Sequence, residues 1–140
     1  MRINLFTRYY RTISYFLAVI FALVGLIFLL LPQGVLAFFN ALSLSLGMSA
    51  SPQDGFSFYP VLAVAYMYVV TLLAWGTGRH PEKSTYPFLL ANAKIASSIL
   101  SFGFFVLKTP YLIFLSNGII DGFLGLVALA LFRSSKENRG

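Results

Sequence analysis

The chain has 140 residues, of which 59% are hydrophobic, 17% aromatic and 10% charged, and its formal net charge is +6. Soluble domains carry about 25% charged residues, and disordered chains contain few aromatic ones, so the composition excludes both classes. The sequence has no cysteine, which excludes disulfides, thiolate metal sites, iron–sulfur clusters and thiol nucleophiles. The length predicts a single membrane domain covering 1–140.

Four long segments with almost no charge follow one another along the chain. A bilayer core about 30 Å thick needs ~20 apolar helical residues, and lipid does not tolerate unpaired backbone polar groups. We therefore predict an all-α fold, an integral membrane four-helix bundle with transmembrane helices at about 12–32, 58–77, 86–107 and 110–132. Burial of these segments in a soluble core would leave too little polar surface to cover them.

A basic leader precedes the first segment and contains Arg2, Arg8 and Arg11. A cleaved signal peptide has a similar leader, but its apolar core spans only about 7–15 residues. The longer segment 12–32 therefore predicts a retained membrane anchor.

The connection between the first two segments, 33–57, is unusually long. Its first half places apolar residues at helical spacing and polar or small residues on another face. The apolar set is Val35, Phe38, Phe39, Leu42 and Leu46, and the other set is Asn40, Ser43 and Gly47. This pattern predicts a short amphipathic helix in the outer membrane interface. The alternative is a loop docked over the bundle as a lid.

Basic residues concentrate on one predicted side of the membrane. That side has the leader, the turn with Arg79 and Lys83, and the tail with Arg133, Lys136 and Arg139, whereas the other side has Asp54 and Lys108. Cytoplasmic segments are enriched in Lys and Arg, so we predict cytoplasmic termini, with a bacterial inner (plasma) membrane as the default location. These charges act as topology markers, and we expect no nucleic-acid partner.

Small residues recur at helical spacing in two predicted spans. Ser14, Ala18, Ala22 and Gly25 form a ridge in the first span. Gly118, Gly122 and Gly125 form one in the last span. Membrane helices approach closely at such ridges, which predicts tight packing within the bundle or, alternatively, against another copy.

Two ionisable residues, Lys94 and Asp121, fall inside predicted spans. Each costs about 2.5–3.5 kcal/mol on insertion scales, and such residues usually face the bundle interior. Helix rise and rotation place neighbouring polar side chains at matching depths between the third and fourth spans. The predicted polar seam contains Lys94, Ser97, Ser98, Ser101, Asn117 and Asp121, with Tyr66 of the second span as a further candidate.

Whether Lys94 pairs with Asp121 stays open at this stage. The predicted depth gap is only ~4 Å, but side chains on antiparallel helices lean in opposite directions. Lys94 could instead reach the cytoplasmic headgroups. The seam is interpreted either as a structural clasp or as a site that handles protons or a ligand.

The sequence contains no recognised catalytic or cofactor motif. The single histidine, His80, falls in a predicted cytoplasmic turn, which excludes bis-histidine haem ligation within the spans. The sequence has no P-loop, no zinc-protease motif and no nucleophile elbow. We expect no catalytic residue, no cofactor and no metal, and hence no enzyme.

Two functional hypotheses remain. The first is a non-catalytic accessory or scaffold subunit of a larger membrane complex, because the chain has minimal soluble loops and no catalytic groups, and its helices carry packing ridges. The alternative is a small oligomeric transporter or hydrophobic-ligand carrier that uses Asp121 with Lys94 nearby. The expected partners are the lipid bilayer and either other membrane subunits or further copies of the chain.

Overall fold

The computed structural model describes residues 5–52 and 59–137. Within these ranges the chain forms five α-helices and no strand. They are α1 (Leu5–Leu30), α2 (Pro32–Ser45), α3 (Tyr59–Arg79), α4 (Thr85–Leu107) and α5 (Leu112–Glu137). All but α2 are long and apolar enough to cross a membrane. The predicted all-α class and the presence of four candidate spans are therefore confirmed, and the chain is an integral membrane protein by this criterion.

The helix ends differ from the predicted span ends in three informative places. α1 covers Leu5–Leu30 and so includes Arg8 and Arg11 of the basic leader, because arginine is a good helix former and the helix can extend beyond the apolar core. It stops at Leu30, two residues before the predicted end, because the residue before a proline disfavours helical geometry and Leu31 adopts φ −132° and ψ 47°. α5 extends past the predicted end at 132 to Glu137. The predictions for Arg2, Asp54, residue 58 and Arg139 lie outside the described residues.

The four long helices pack as two antiparallel pairs. α1 packs against α3, and α4 packs against α5, while smaller contacts join α3 to α4 and α1 to α5. Two glycine contacts show that α1 and α3 run in opposite directions. Gly25, near the end of α1, lies against Met67, whereas Gly78, at the end of α3, lies against Ser14 in the first half of α1. Each helix is thus antiparallel to its neighbours, and the described starts of α1 and α4 lie at the same end as the ends of α3 and α5. The helix α2 contacts α1 and α5 at the opposite end.

The three glycines of α5 face α4. A Cβ atom added to Gly118 would lie 3.1 Å from the Phe102 ring, and one added to Gly122 would lie 2.9 Å from the Ser98 hydroxyl oxygen. At Gly125 the Cβ would lie 2.9 Å from Cγ1 of Ile95 and 3.3 Å from its backbone nitrogen. The two backbones therefore approach more closely than any larger residue would allow.

One residue of the predicted small-residue ridge of α1 does not face the bundle. Ser14 and Ala18 are buried, and a Cβ at Gly25 would lie 3.1 Å from Cβ of Met67. Ala22 is exposed and does not join this contact. A buried apolar cluster at the centre contains Phe21 of α1, Val70 of α3, Leu90 of α4 and Leu131 of α5.

We expect Gly125→Ala to destabilise the bundle and Gly103→Ala to leave it unchanged. Overpacking a tight contact costs roughly 1–3 kcal/mol, and the Gly125 Cβ would meet the Ile95 backbone. At Gly103, a Cβ meets nothing within 4 Å, which makes it the matched control. Thermal unfolding in detergent measures both, and equal stability of the two variants would contradict the close α4–α5 approach.

Candidate functional site

Lys94 and Asp121 form a buried ion pair between α4 and α5. The Lys94 Nζ lies 2.8 Å from Asp121 Oδ1, and the two side chains are only 2% and 5% exposed. The lysine therefore points to the carboxylate and not to the headgroups. Its Cβ would lie 3.5 Å from a Cβ added to Gly125, an ordinary van der Waals distance that places the start of the lysine stem beside Gly125. From there the stem is long enough to span the one-turn depth gap to Asp121.

Two aromatic rings from the other helix pair contact the amine. The Lys94 Nζ lies 4.6 Å from the Phe21 ring centroid and 5.0 Å from that of Tyr66. Cations are attracted to the faces of aromatic rings, and more strongly so when the cation is shielded from water. The Tyr66 hydroxyl also donates a hydrogen bond of 3.1 Å to the Ala93 carbonyl oxygen, next to Lys94 in the chain. All four spanning helices thus contribute to the surroundings of one ammonium group.

The remaining residues of the predicted seam lie further along the α4–α5 contact. Ser98 is buried, and its hydroxyl donates 2.7 Å to the Gly118 carbonyl oxygen. The Asn117 amide nitrogen donates 2.7 Å to the Ser101 hydroxyl oxygen and 3.3 Å to that of Ser97. The structure therefore brings every predicted seam residue to one interface, with the ion pair facing the bundle centre and Asn117 on its exposed side.

The charges and hydrogen bonds of this site favour a clasp. Removing an ion pair from water costs several kcal/mol per ion, and the cost is offset only by good geometry and further polar contacts. Here the Lys94 amine contacts one carboxylate and two ring faces, and the charges of Lys94 and Asp121 neutralise each other. Such an arrangement fixes how α4 and α5 are rotated and how deeply each lies against the other.

A second polar cluster, which the sequence did not single out, lies at the end of the bundle where α3 ends and α4 begins. The Ser135 hydroxyl donates 2.9 Å to the Pro81 carbonyl oxygen and ties the α3–α4 turn to α5. In this exposed turn His80 Nδ1 lies 3.3 Å from Glu82 Oε1. A hydrogen bond from its own backbone holds the pKa of Glu82 below its usual range, and His80 contributes in the same direction. These contacts order the turn but bring no catalytic set together.

Sequence reasoning missed Phe21, which is one of 15 phenylalanines and carries no distinguishing signal. The structure turns Tyr66, the tyrosine that the sequence analysis named as a candidate, inward and leaves its neighbour Tyr68 65% exposed. Across residues 5–52 and 59–137, no group of three or more His, Cys, Asp or Glu side chains is placed to hold a metal ion.

Comparison of the chain with protein-family models, with curated proteins and with solved structures finds no match.

A double-mutant cycle tests the clasp. We expect Lys94→Met alone to destabilise the protein by about 3–5 kcal/mol, because it leaves a buried carboxylate without its cation. Combining Lys94→Met with Asp121→Leu removes both charges and should restore much of that loss, since apolar replacement of a buried pair is often neutral or stabilising. Denaturant titration in detergent measures the coupling. Additive effects of the two substitutions would show that the residues do not interact.

Proposed function

We propose that this chain is a non-catalytic accessory or scaffold subunit of a larger membrane assembly. The observation that carries the proposal is the position of Asn92, which lies about 10 Å along α4 from its start at Thr85 and is exposed on the bundle surface. Its amide nitrogen donates 2.8 Å to the Phe88 carbonyl oxygen of the same helix. An exposed surface at this depth faces lipid or another membrane protein.

The chemistry of an amide favours a protein neighbour over lipid. Asparagine has two N–H donors and a carbonyl acceptor, and the bond to Phe88 uses one donor. Polar groups that lack partners in an apolar medium cost free energy, and membrane helices gain from asparagine hydrogen bonds across their contacts. A transmembrane helix of another subunit is thus the neighbour that suits this side chain.

The residues around Asn92 allow a second helix to approach. Ala96 and Gly103 follow on the same side of α4, within ~40° of Asn92 at 100° per residue. A Cβ at Gly103 would meet nothing within 4 Å, so the backbone is open there. Small residues next to a hydrogen-bonding side chain are typical of helix contacts in membranes.

The ion pair supports the same interpretation. A carrier that uses Asp121 would need its carboxylate to exchange a proton or a ligand, and the Lys94 amine contacts that carboxylate at 2.8 Å. The amine is itself held between two rings. The alternative function therefore requires the pair to separate inside a packed bundle.

We also propose that the four long helices all cross a bacterial inner membrane, with both termini in the cytoplasm. Arg8, Arg11, Arg79 and Arg133 belong to helix ends that the antiparallel packing brings to one end of the bundle. Lys108 follows α4 at the opposite end. The positive-inside rule assigns the more basic end to the cytoplasm.

Asn92→Leu is expected to release the partner subunit. The substitution removes the amide and keeps a similar volume, so the bundle should stay folded while the amount of co-purified protein falls several-fold. Mild-detergent purification from the native membrane, followed by identification and quantification of what accompanies the chain, measures this. Ile120→Leu, at a 54% exposed position of α5, is the control, because it lies away from the Asn92 side of α4. A chain that purifies alone, or a partner retained equally by both variants, would contradict the scaffold proposal.

Asp121→Asn separates the scaffold from the carrier. For a scaffold, we expect the purified chain in proteoliposomes to show no proton-linked signal from an internal pH-sensitive dye, with or without the substitution. If the wild-type chain moves protons or a ligand and a folded Asp121→Asn variant does not, the carrier is correct and the scaffold is rejected. Circular dichroism and gel filtration of the variant establish that it is folded.

A further inference from the structure

The helix α2 has the reverse of the polarity expected for a helix in contact with water. Its buried residues are polar: Asn40 is 8% exposed and Ser43 is 1% exposed. Its outward side is mostly apolar, with Phe38 64% and Leu44 65% exposed and Leu42 exposed as well. The exposed Ser45 on this side donates its hydroxyl to the Leu42 carbonyl oxygen, at 2.7 Å. A surface helix of a soluble domain, or one resting on a membrane, normally turns its polar side to water.

The buried polar side binds the segment that follows the helix. The Asn40 amide nitrogen donates 2.8 Å to the Ser51 carbonyl oxygen, and the Ser51 amide donates 2.8 Å back to the Asn40 side-chain oxygen. The Ser43 hydroxyl donates 2.8 Å to the Ser49 carbonyl oxygen. Gly47, with φ +68°, makes the reversal that folds this segment back, as glycine does at helix ends. The side chains of Asn40 and Ser43 are thus paired with backbone groups of Ser49 and Ser51.

The apolar surface of α2 continues that of α1. Leu31 alone separates the two helices, and its backbone carbonyl accepts a hydrogen bond of 3.0 Å from Val35. The last residue of α1 and the linking residue are both strongly exposed, with Leu30 at 72% and Leu31 at 63%. Because the exposed side of a spanning helix faces lipid, the same apolar environment is available to the helix that follows it directly.

We propose that α2 is embedded in the leaflet opposite the termini, with its outward face of Phe38, Leu42 and Leu44 packed against lipid acyl chains. The polar side faces its own return segment and not the water, so α2 neither rests on the surface as an ordinary interfacial helix nor covers the bundle as a lid. Burial of exposed apolar side chains in lipid stabilises this position. The hydrogen bonds of Asn40 and Ser43 pair the Ser51 N–H and the carbonyl oxygens of Ser49 and Ser51, which lowers the cost of placing the return segment in an apolar environment.

Spin labels on single cysteines test this placement. The sequence contains no cysteine, so Phe38→Cys and Leu44→Cys can each be labelled specifically in the full chain. After reconstitution into phosphatidylethanolamine–phosphatidylglycerol vesicles, power saturation compares collisions with oxygen, which concentrates in lipid, and with a water-soluble nickel chelate. A label at Ile99→Cys, an exposed position in the middle of α4, supplies the reference for lipid. A label at Lys83→Cys, an exposed position in the turn between α3 and α4, supplies the reference for water.

We expect both α2 labels to match the Ile99 label, with oxygen accessibility above nickel accessibility, and to differ from the Lys83 label. Nickel accessibility like that of Lys83 at either position would place α2 in water and overturn the proposal. Low accessibility to both reagents would place a protein surface, such as a second copy of the chain, against α2 and would overturn it equally.

Discussion

The ion pair between Lys94 and Asp121 is the interaction on which the rest of the bundle depends. Helices in lipid gain little from hydrophobic association, so close packing and polar contacts decide how they are arranged. Lys94 contacts a carboxylate of α5 and ring faces from α1 and α3. A single side chain of α4 therefore sets the rotation of all three neighbours, since turning any helix away would remove a partner from a buried charge.

The pair can form only because the backbones of α4 and α5 are close. A Cβ atom on Gly122 would lie 2.9 Å from the Ser98 hydroxyl oxygen, and one on Gly125 would lie 2.9 Å from Cγ1 of Ile95, so a larger side chain would push the two helices apart. The glycines reduce helix propensity in water, but in this bundle they allow the contact that brings amine and carboxylate to 2.8 Å. The small-residue ridge and the polar seam are thus two parts of one interface, in which the ridge sets the distance and the seam sets the register.

Much of this arrangement could be predicted from the sequence. The spacing between charges gave the four spans, and the helix rise put Ser97, Ser101 and Asn117 at matching depths. The pairing of Lys94 with Asp121 could not be predicted, because helical periodicity gives the depth and direction of each side chain but not the distance between two helix axes. The burial of the polar side chains of α2 could not be predicted either. Their partner is the irregular return segment, and no periodic pattern predicts where such a segment folds back.

The distribution of polar groups bears directly on function. A carrier exposes ionisable groups to a cavity or to a pathway, whereas here the two charges within the spans neutralise each other at the centre. The groups left on the outside are an amide on α4, open glycine backbone near it, and an apolar face on α2. These are the groups through which a membrane protein contacts other helices and lipid. This distribution supports the proposal that the chain associates with another membrane subunit, because the buried ion pair fixes the helix that carries the exposed amide and the open glycine.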